Sequence, residues 1–198
     1  MKYYLKMAFM PFIFLLFSAM LGLGVLMLND DLRILQYILC AVNTLFYAIL
    51  MGVGGFKDGQ AELKIRMQND TYRRKIVETG EDFPLQLLEE YKPWKGFAIG
   101  IMASIPATLL TILHFVTNIG ATVPENSLGM LSGIINMVVF GYFMVDGKVL
   151  FGEYAFSLLY IPFICIVYGL AYQFGAKQMQ KQYDKIHATH IAIHGDKN

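Results

Sequence analysis

Five stretches of this chain read as lengths of apolar helix, and one long stretch between them does not. Runs free of Asp, Glu, Lys and Arg occupy residues 7–29, 34–56, 96–124, 126–145 and 154–176. A hydrocarbon core about 30 Å thick is crossed by about 20 residues of helix, so each run is long enough. With their ends adjusted to the flanking polar and turn-forming residues, the runs predict membrane segments at about 5–28, 32–56, 96–118, 128–145 and 154–176. A soluble domain has no interior that could bury five such helices on every side. The predicted fold class is therefore all-α: a polytopic integral membrane protein, a bundle of five membrane-embedded helices in a single membrane domain over 1–198.

The first run follows Lys2 and Lys6. It is too long for a signal-peptide core and no small-x-small cleavage site follows it, so it reads as an uncleaved first helix with Pro11 one turn inside. The polar corner Leu28-Asn29-Asp30-Asp31 is short enough to force an antiparallel hairpin with the second run. That second run closes on Gly52-Val53-Gly54-Gly55, where backbones can pack closely or the helix can fray. The third opens with Gly96-x-x-x-Gly100, a close-packing signal. The fourth is diluted by Gly129, Ser132, Gly133, Asn136 and Gly141, and either spans or dips in and returns.

Residues 57–95 break the pattern. They carry 16 of the 31 charged side chains, eight of each sign. Gln60 to Thr79 predicts one helix, with Gly80 as its C-cap. Asp82 as N-cap and Pro84 in the first turn predict a second, amphipathic helix that shows Phe83, Leu87, Leu88 and Tyr91 on one face. That helix should lie against the membrane surface, with Trp94 as an interfacial anchor. The whole stretch is expected to be a cytoplasmic helical insert, because its eight Lys and Arg contrast with none in 118–127. Lys2 and Lys6 put the N-terminus on the same side. The polar tail 177–198 carries four lysines, which favours a cytoplasmic C-terminus and hence four full crossings. Such a layout fits the cell membrane, with a bacterial cytoplasmic membrane as the simplest host.

Composition sharpens this only slightly. Hydrophobic residues make up 56% and charged residues 16%, with a net charge of +1, so bulk electrostatics gives no case for nucleic acid as a partner. Cys40 and Cys165 fall in apolar runs and read as small core hydrophobes.

Three groups of residues are worth testing for chemistry. Asn43, His114, Asn118 and Asn136 lie in or beside membrane runs, where polar groups mark binding sites. Arg73, Arg74 and Lys75, with Trp94, offer a surface for a protein partner or lipid headgroups, although a solvated helix face paired with Asp70 and Glu78 is the plainer reading of the charges. His187, His190 and His194 stand at i, i+3 and i+7, one face of a helix, and could hold a divalent metal; a solvated polar tail is the plainer reading. No Asp or Glu lies inside a membrane run, and no nucleotide-binding, zinc-protease or serine-hydrolase motif occurs. The expected function is a non-enzymatic accessory or scaffold subunit of a membrane complex, with membrane lipid around it and a protein partner at the insert. The alternative is a small-solute transporter or membrane-embedded substrate-binding component, its helices broken at Pro11, Pro106 and Pro162.

Overall fold

A computed structural model of the chain describes residues 2–28, 30–117, 134–135 and 158–194. These residues are all-α, with four long helices: α1 (Lys2–Leu26), α2 (Arg33–Thr79), α3 (Lys95–Thr117) and α4 (Tyr160–His194). A single 3-10 turn, Asp30–Leu32, precedes α2. Gln36 closes that corner by donating Nε2 to the Leu28 carbonyl at 3.1 Å. Both α2 and α3 pack on α1 and on α4, so the order around the bundle is α1, α2, α4, α3.

The pairings fix the direction of each helix. Ser18 meets Asn43 while Tyr3 reaches Glu62, so α1 and α2 are antiparallel. Tyr47 meets Tyr160, Asp58 meets Tyr168 and Glu62 meets Tyr172. The residue numbers rise together, so α4 runs parallel to α2. Gly96 lies against Tyr172 and Gly100 against Cys165, so α3 runs back along α4. The start of α1 and the start of α3 therefore lie level with Glu62 and Tyr172, and α2 and α4 run on side by side past that end.

Three of the helices, α1, α2 and α3, are long and apolar enough to cross a membrane, the build of a multi-pass membrane protein. The fifth predicted run supplies the first half of α4. The fourth, 128–145, lies outside the described residues apart from 134–135.

The largest difference from the sequence reading is in α2. A boundary was expected at Phe56, but the helix runs 47 residues without a break, about 70 Å at 1.5 Å per residue. Its inward face explains why. Gln36, Cys40, Asn43, Tyr47, Met51, Gly55, Gly59, Glu62 and Leu63 are all buried, one helical stripe that ignores the change in composition. Only the outward face changes. Ile34, Ile38, Val42, Leu45, Ile49 and Val53 are exposed and apolar; the next exposed positions are Lys57, Ala61, Lys64 and Arg66. The outer surface switches from aliphatic to charged side chains just past Val53, while the packing inside continues.

The second predicted helix does not form. Gly80 does cap the first, at φ 72° with its N–H bonded to the Ile76 carbonyl at 2.9 Å. Residues 81–94 then fold back irregularly along α2. Side chains of α2 take the place of helical hydrogen bonds. Asn69 accepts the Gln86 N–H at 3.2 Å and donates to Glu90 at 2.9 Å, and Phe83 stacks on Tyr72. Leu87 and Leu88, expected on the apolar face of that helix, are exposed.

Helix approach is closest between α2 and α4. A Cβ placed on Gly55 would lie 2.6 Å from the Tyr168 carbonyl oxygen, and one on Gly59 would meet the Tyr172 carbonyl closer still; Gly175 faces the Phe56 carbonyl in return. A Cβ added to Gly100 would lie 2.8 Å from the Cys165 Cα. Around these contacts sit Leu15, Tyr47, Met51, Ile99, Ala103, Tyr160 and Ile164, all buried. Gly52, by contrast, has nothing within 4 Å of its added Cβ. Gly59→Ala should therefore destabilise the folded protein by about 1–3 kcal/mol through backbone overpacking. Gly52→Ala should be neutral or gain up to about 1 kcal/mol of helix propensity. Thermal melts of both variants in detergent check the contrast, and equal melting temperatures would refute the packing described.

Candidate functional site: a carboxylate shared by four helices

Glu62 sits on the inner stripe of α2, two turns beyond Val53, and is only 2% exposed. One side chain from each of the other three helices converges on it. Tyr3 of α1 donates its hydroxyl to Oε1. Tyr172 of α4 donates its hydroxyl to Oε2. Lys95, the first residue of α3, places Nζ 2.7 Å from Oε2.

Lys95 is as deeply buried, at 1% exposure. An ammonium has three N–H donors, and each has an acceptor here. Besides Glu62, Nζ reaches the carbonyls of Leu88 and Glu90, both at 2.9 Å. It also stands 4.7 Å from the centroid of the Tyr3 ring, within cation–π range. The fold-back of 81–94 is what brings those two carbonyls to the lysine. The Tyr91 N–H bonds the Glu62 carbonyl at 3.2 Å, and the Tyr91 ring stacks on Tyr172 at 5.2 Å.

One turn nearer the membrane, Tyr168 donates its hydroxyl to Asp58. Burial lifts the Asp58 carboxyl above the ordinary carboxylate range. The Tyr168 hydrogen bond pulls it back, and the neighbouring Glu62 charge pushes it up again. The junction thus pairs Asp58-x-x-x-Glu62 on one helix with Tyr168-x-x-x-Tyr172 on its parallel neighbour. Gly55 and Gly59 allow the approach that lets phenols meet carboxylates. Burial similarly raises the Tyr91 phenol, with Arg66 acting in the opposite direction.

The residues singled out from the sequence are scattered. Asn43 is buried against α1, where Nδ2 donates to the Ser18 carbonyl at 3.1 Å and Oδ1 accepts from the Ser18 hydroxyl at 3.0 Å. His114 is fully buried in the last turn of α3, beside the Phe115 ring. Asn118 and Asn136 lie outside the described residues. Arg73 pairs with Asp70 at 2.7 Å and with Glu90 at 2.6 Å, so its partner across the chain is Glu90 and not Glu78. Arg74 is exposed, and the Lys75 ammonium stands 6.0 Å from the Phe83 ring. Trp94 is half-exposed and stacked on Tyr4 at 6.3 Å, at the level where α3 begins. Helix α4 continues to His194, which puts His187, His190 and His194 on one helical face. His187 is exposed and stacks on Tyr183; the side chains of His190 and His194 lie outside the described residues. Cys40 and Cys165 are free thiols, the first buried.

The Glu62 junction went unseen in the sequence because Asp58 and Glu62 fall just past a compositional boundary and look like part of a solvated charge run. One signal was present: the segment Gly55-Phe-Lys-Asp58-Gly59-Gln-Ala-Glu62 repeats Gly and an acid at a four-residue spacing, which places two small residues and two carboxylates on adjoining strips of one helix.

Removing one member of a buried ion pair leaves the other charged and uncompensated. Glu62→Leu should cost about 3–5 kcal/mol of stability. The double variant Glu62→Leu/Lys95→Met should recover most of that loss, since a buried pair is often replaceable by apolar side chains. Melting in detergent, read as a double-mutant cycle, measures the coupling, and additive losses would refute it. No family model matches the chain, and no curated protein and no solved structure matches it either.

Proposed function

We propose that this chain is a non-enzymatic accessory or scaffold subunit of a membrane complex, with the distal part of α2 and the segment folded along it as the handle for a protein partner. The observation that carries this reading is the length of α2. From Lys57 to Thr79 it extends 23 residues past the apolar surface, about 34 Å of helix, stiffened by a fold-back that pairs with Asn69, Arg73 and Lys95. Outward positions of this extension, Arg74, Lys75, Val77 and Glu78, are exposed. A rigid projection with a mixed-charge surface suits contact with another protein, and the Glu62 junction at its base has its hydrogen-bonding capacity taken up within the chain.

The transporter reading draws less support. The Asn43 amide is spent on Ser18, and α1 and α3 pass through Pro11 and Pro106 as single helices.

For sidedness, the reading is that the N-terminus, residues 57–95 and the C-terminal tail are all cytoplasmic, in a bacterial cytoplasmic membrane. The parallel course of α2 and α4 supports this, because it requires an even number of crossings between Lys2 and His194. Exposed Lys6, Lys57 and Lys177 at that end agree with the excess of Lys and Arg on cytoplasmic faces. On this reading four of the five predicted membrane segments cross.

Two measurements check these statements. Replacing Arg74, Lys75 and Glu78 by Ser should abolish copurification of a partner from native membranes while leaving the detergent melt unchanged; undiminished copurification would sink the handle. A phosphatase that is active only outside the cytoplasm, fused after Asn198, should stay silent, and an active fusion would reverse the side assigned to the tail.

A further inference from the structure

Alongside the handle, α2, α4 and the folded-back segment enclose an open groove of about 350 Å³. Its rim carries Arg66, Asp70, Tyr91, Lys177 and Gln180 over an apolar floor. Asp70 is already neutralised by Arg73 at 2.7 Å. Arg66 and Lys177 are exposed, and among the described residues neither makes an ion pair. The groove therefore presents two cations, an amide donor and an aromatic wall, and its one carboxylate, Asp70, is engaged with Arg73.

Its depth decides what such a groove would take. Leu170 and Phe174 are the outward apolar side chains of α4 that precede its first charged residue, Lys177. Lys177 and Gln180 follow three and six residues later, about 4.5–9 Å along the axis. The headgroup layer on each face of a bilayer is about 5–8 Å thick. The groove thus opens at headgroup depth, directly above an apolar strip of α4 that acyl chains would lie against. Arg66 lines the groove at the level of Lys177, whereas Arg73, Arg74 and Lys75 are 7–9 residues further along α2, about 10–14 Å, beyond the reach of a headgroup.

We propose that the groove between α2 and α4 is a binding site for the phosphate of an anionic phospholipid, held by Arg66 and Lys177. Arg66 offers a planar fork suited to two phosphate oxygens, Lys177 a point charge at the membrane edge, and Gln180 a further donor. The source of the phosphate is the surrounding leaflet and not a soluble compound, because the groove faces the bilayer surface at that level. The site is independent of whether the handle has a protein partner.

The full-length protein is reconstituted in nanodiscs of phosphatidylcholine alone and of phosphatidylcholine doped with phosphatidylglycerol. Melting temperature and the phosphatidylglycerol retained in native mass spectra are read in each. The wild type should melt higher in the doped discs. Arg66→Gln/Lys177→Gln should erase that gain and reduce retention roughly thirtyfold, at about a fivefold loss for each cation near an anionic surface, with its melt in neutral discs unchanged. Lys177→Gln alone should show roughly the fivefold loss, which keeps the question answerable if the double variant expresses poorly. Arg74→Gln/Lys75→Gln should keep both the gain and the retention. The site is overturned if the wild type melts equally in both discs or if the two double variants lose the gain to the same extent. It is also overturned if inorganic phosphate added to neutral discs reproduces the gain, which would assign the groove to a free anion.

Discussion

One buried carboxylate holds the register of this bundle. Glu62 takes a hydroxyl from α1, a hydroxyl from α4 and the ammonium of α3, while α2 carries it. A charge at 2% exposure is tolerated only when its lone pairs are filled. Sliding α2 by one turn, about 5.4 Å, would strand Glu62 and Lys95 together. The same constraint acts on the fold-back of 81–94, whose carbonyls at Leu88 and Glu90 complete the lysine. Buried ion pairs contribute little net stability compared with well-packed apolar side chains. Their effect here is on which arrangement of four greasy helices is the low-energy one.

Apolar contacts alone discriminate poorly in this setting. Lipid tails are as apolar as leucine, so association inside a bilayer leans on close packing and on polar links between helices. This chain uses both, distributed along its length. Near the far end Ser18 and Asn43 exchange two hydrogen bonds between α1 and α2. In the middle the hydroxyls of Tyr47 and Tyr160 meet at 2.7 Å. At the water-facing end come Asp58 with Tyr168 and then Glu62 with its three partners. Between these links Gly55, Gly59 and Gly175 bring α2 and α4 together at backbone distance. The four-residue step shared by the glycines, the acids and the tyrosines keeps small and polar positions in phase along two parallel helices.

The functional reading follows from where this order ends. The junction is complete in itself, with donors and acceptors matched inside the chain. What lies past it on α2 is a stiff, charged length of helix braced by its own fold-back. Around the base of that length the outer surface passes from lipid-facing aliphatic side chains to lysine and arginine, with Trp94 on Tyr4 at the same level. Interfaces with protein and with headgroups are both available at that end, and the two cations free of internal partners in the groove sit closer to the bilayer than the basic run at Arg73 to Lys75.

Hydropathy and helix chemistry were enough to make the membrane class, the first hairpin, the Gly80 cap and the Gly96-x-x-x-Gly100 contact legible, because each depends on local composition or on residues a turn apart. Tertiary structure alone decided the rest. The continuity of α2 past Phe56 depends on an inner stripe that stays small or buried while the outer face changes solvent, and a linear reading averages the two faces. The second predicted helix lost to partners supplied by Asn69, Glu62 and Lys95, residues 5 to 29 positions away along the chain. Glu62 itself looked like one acid among many in a mixed run. Its role comes from Tyr3, Lys95 and Tyr172 meeting it in space, and those separations of 33 to 110 residues leave no trace in spacing or period.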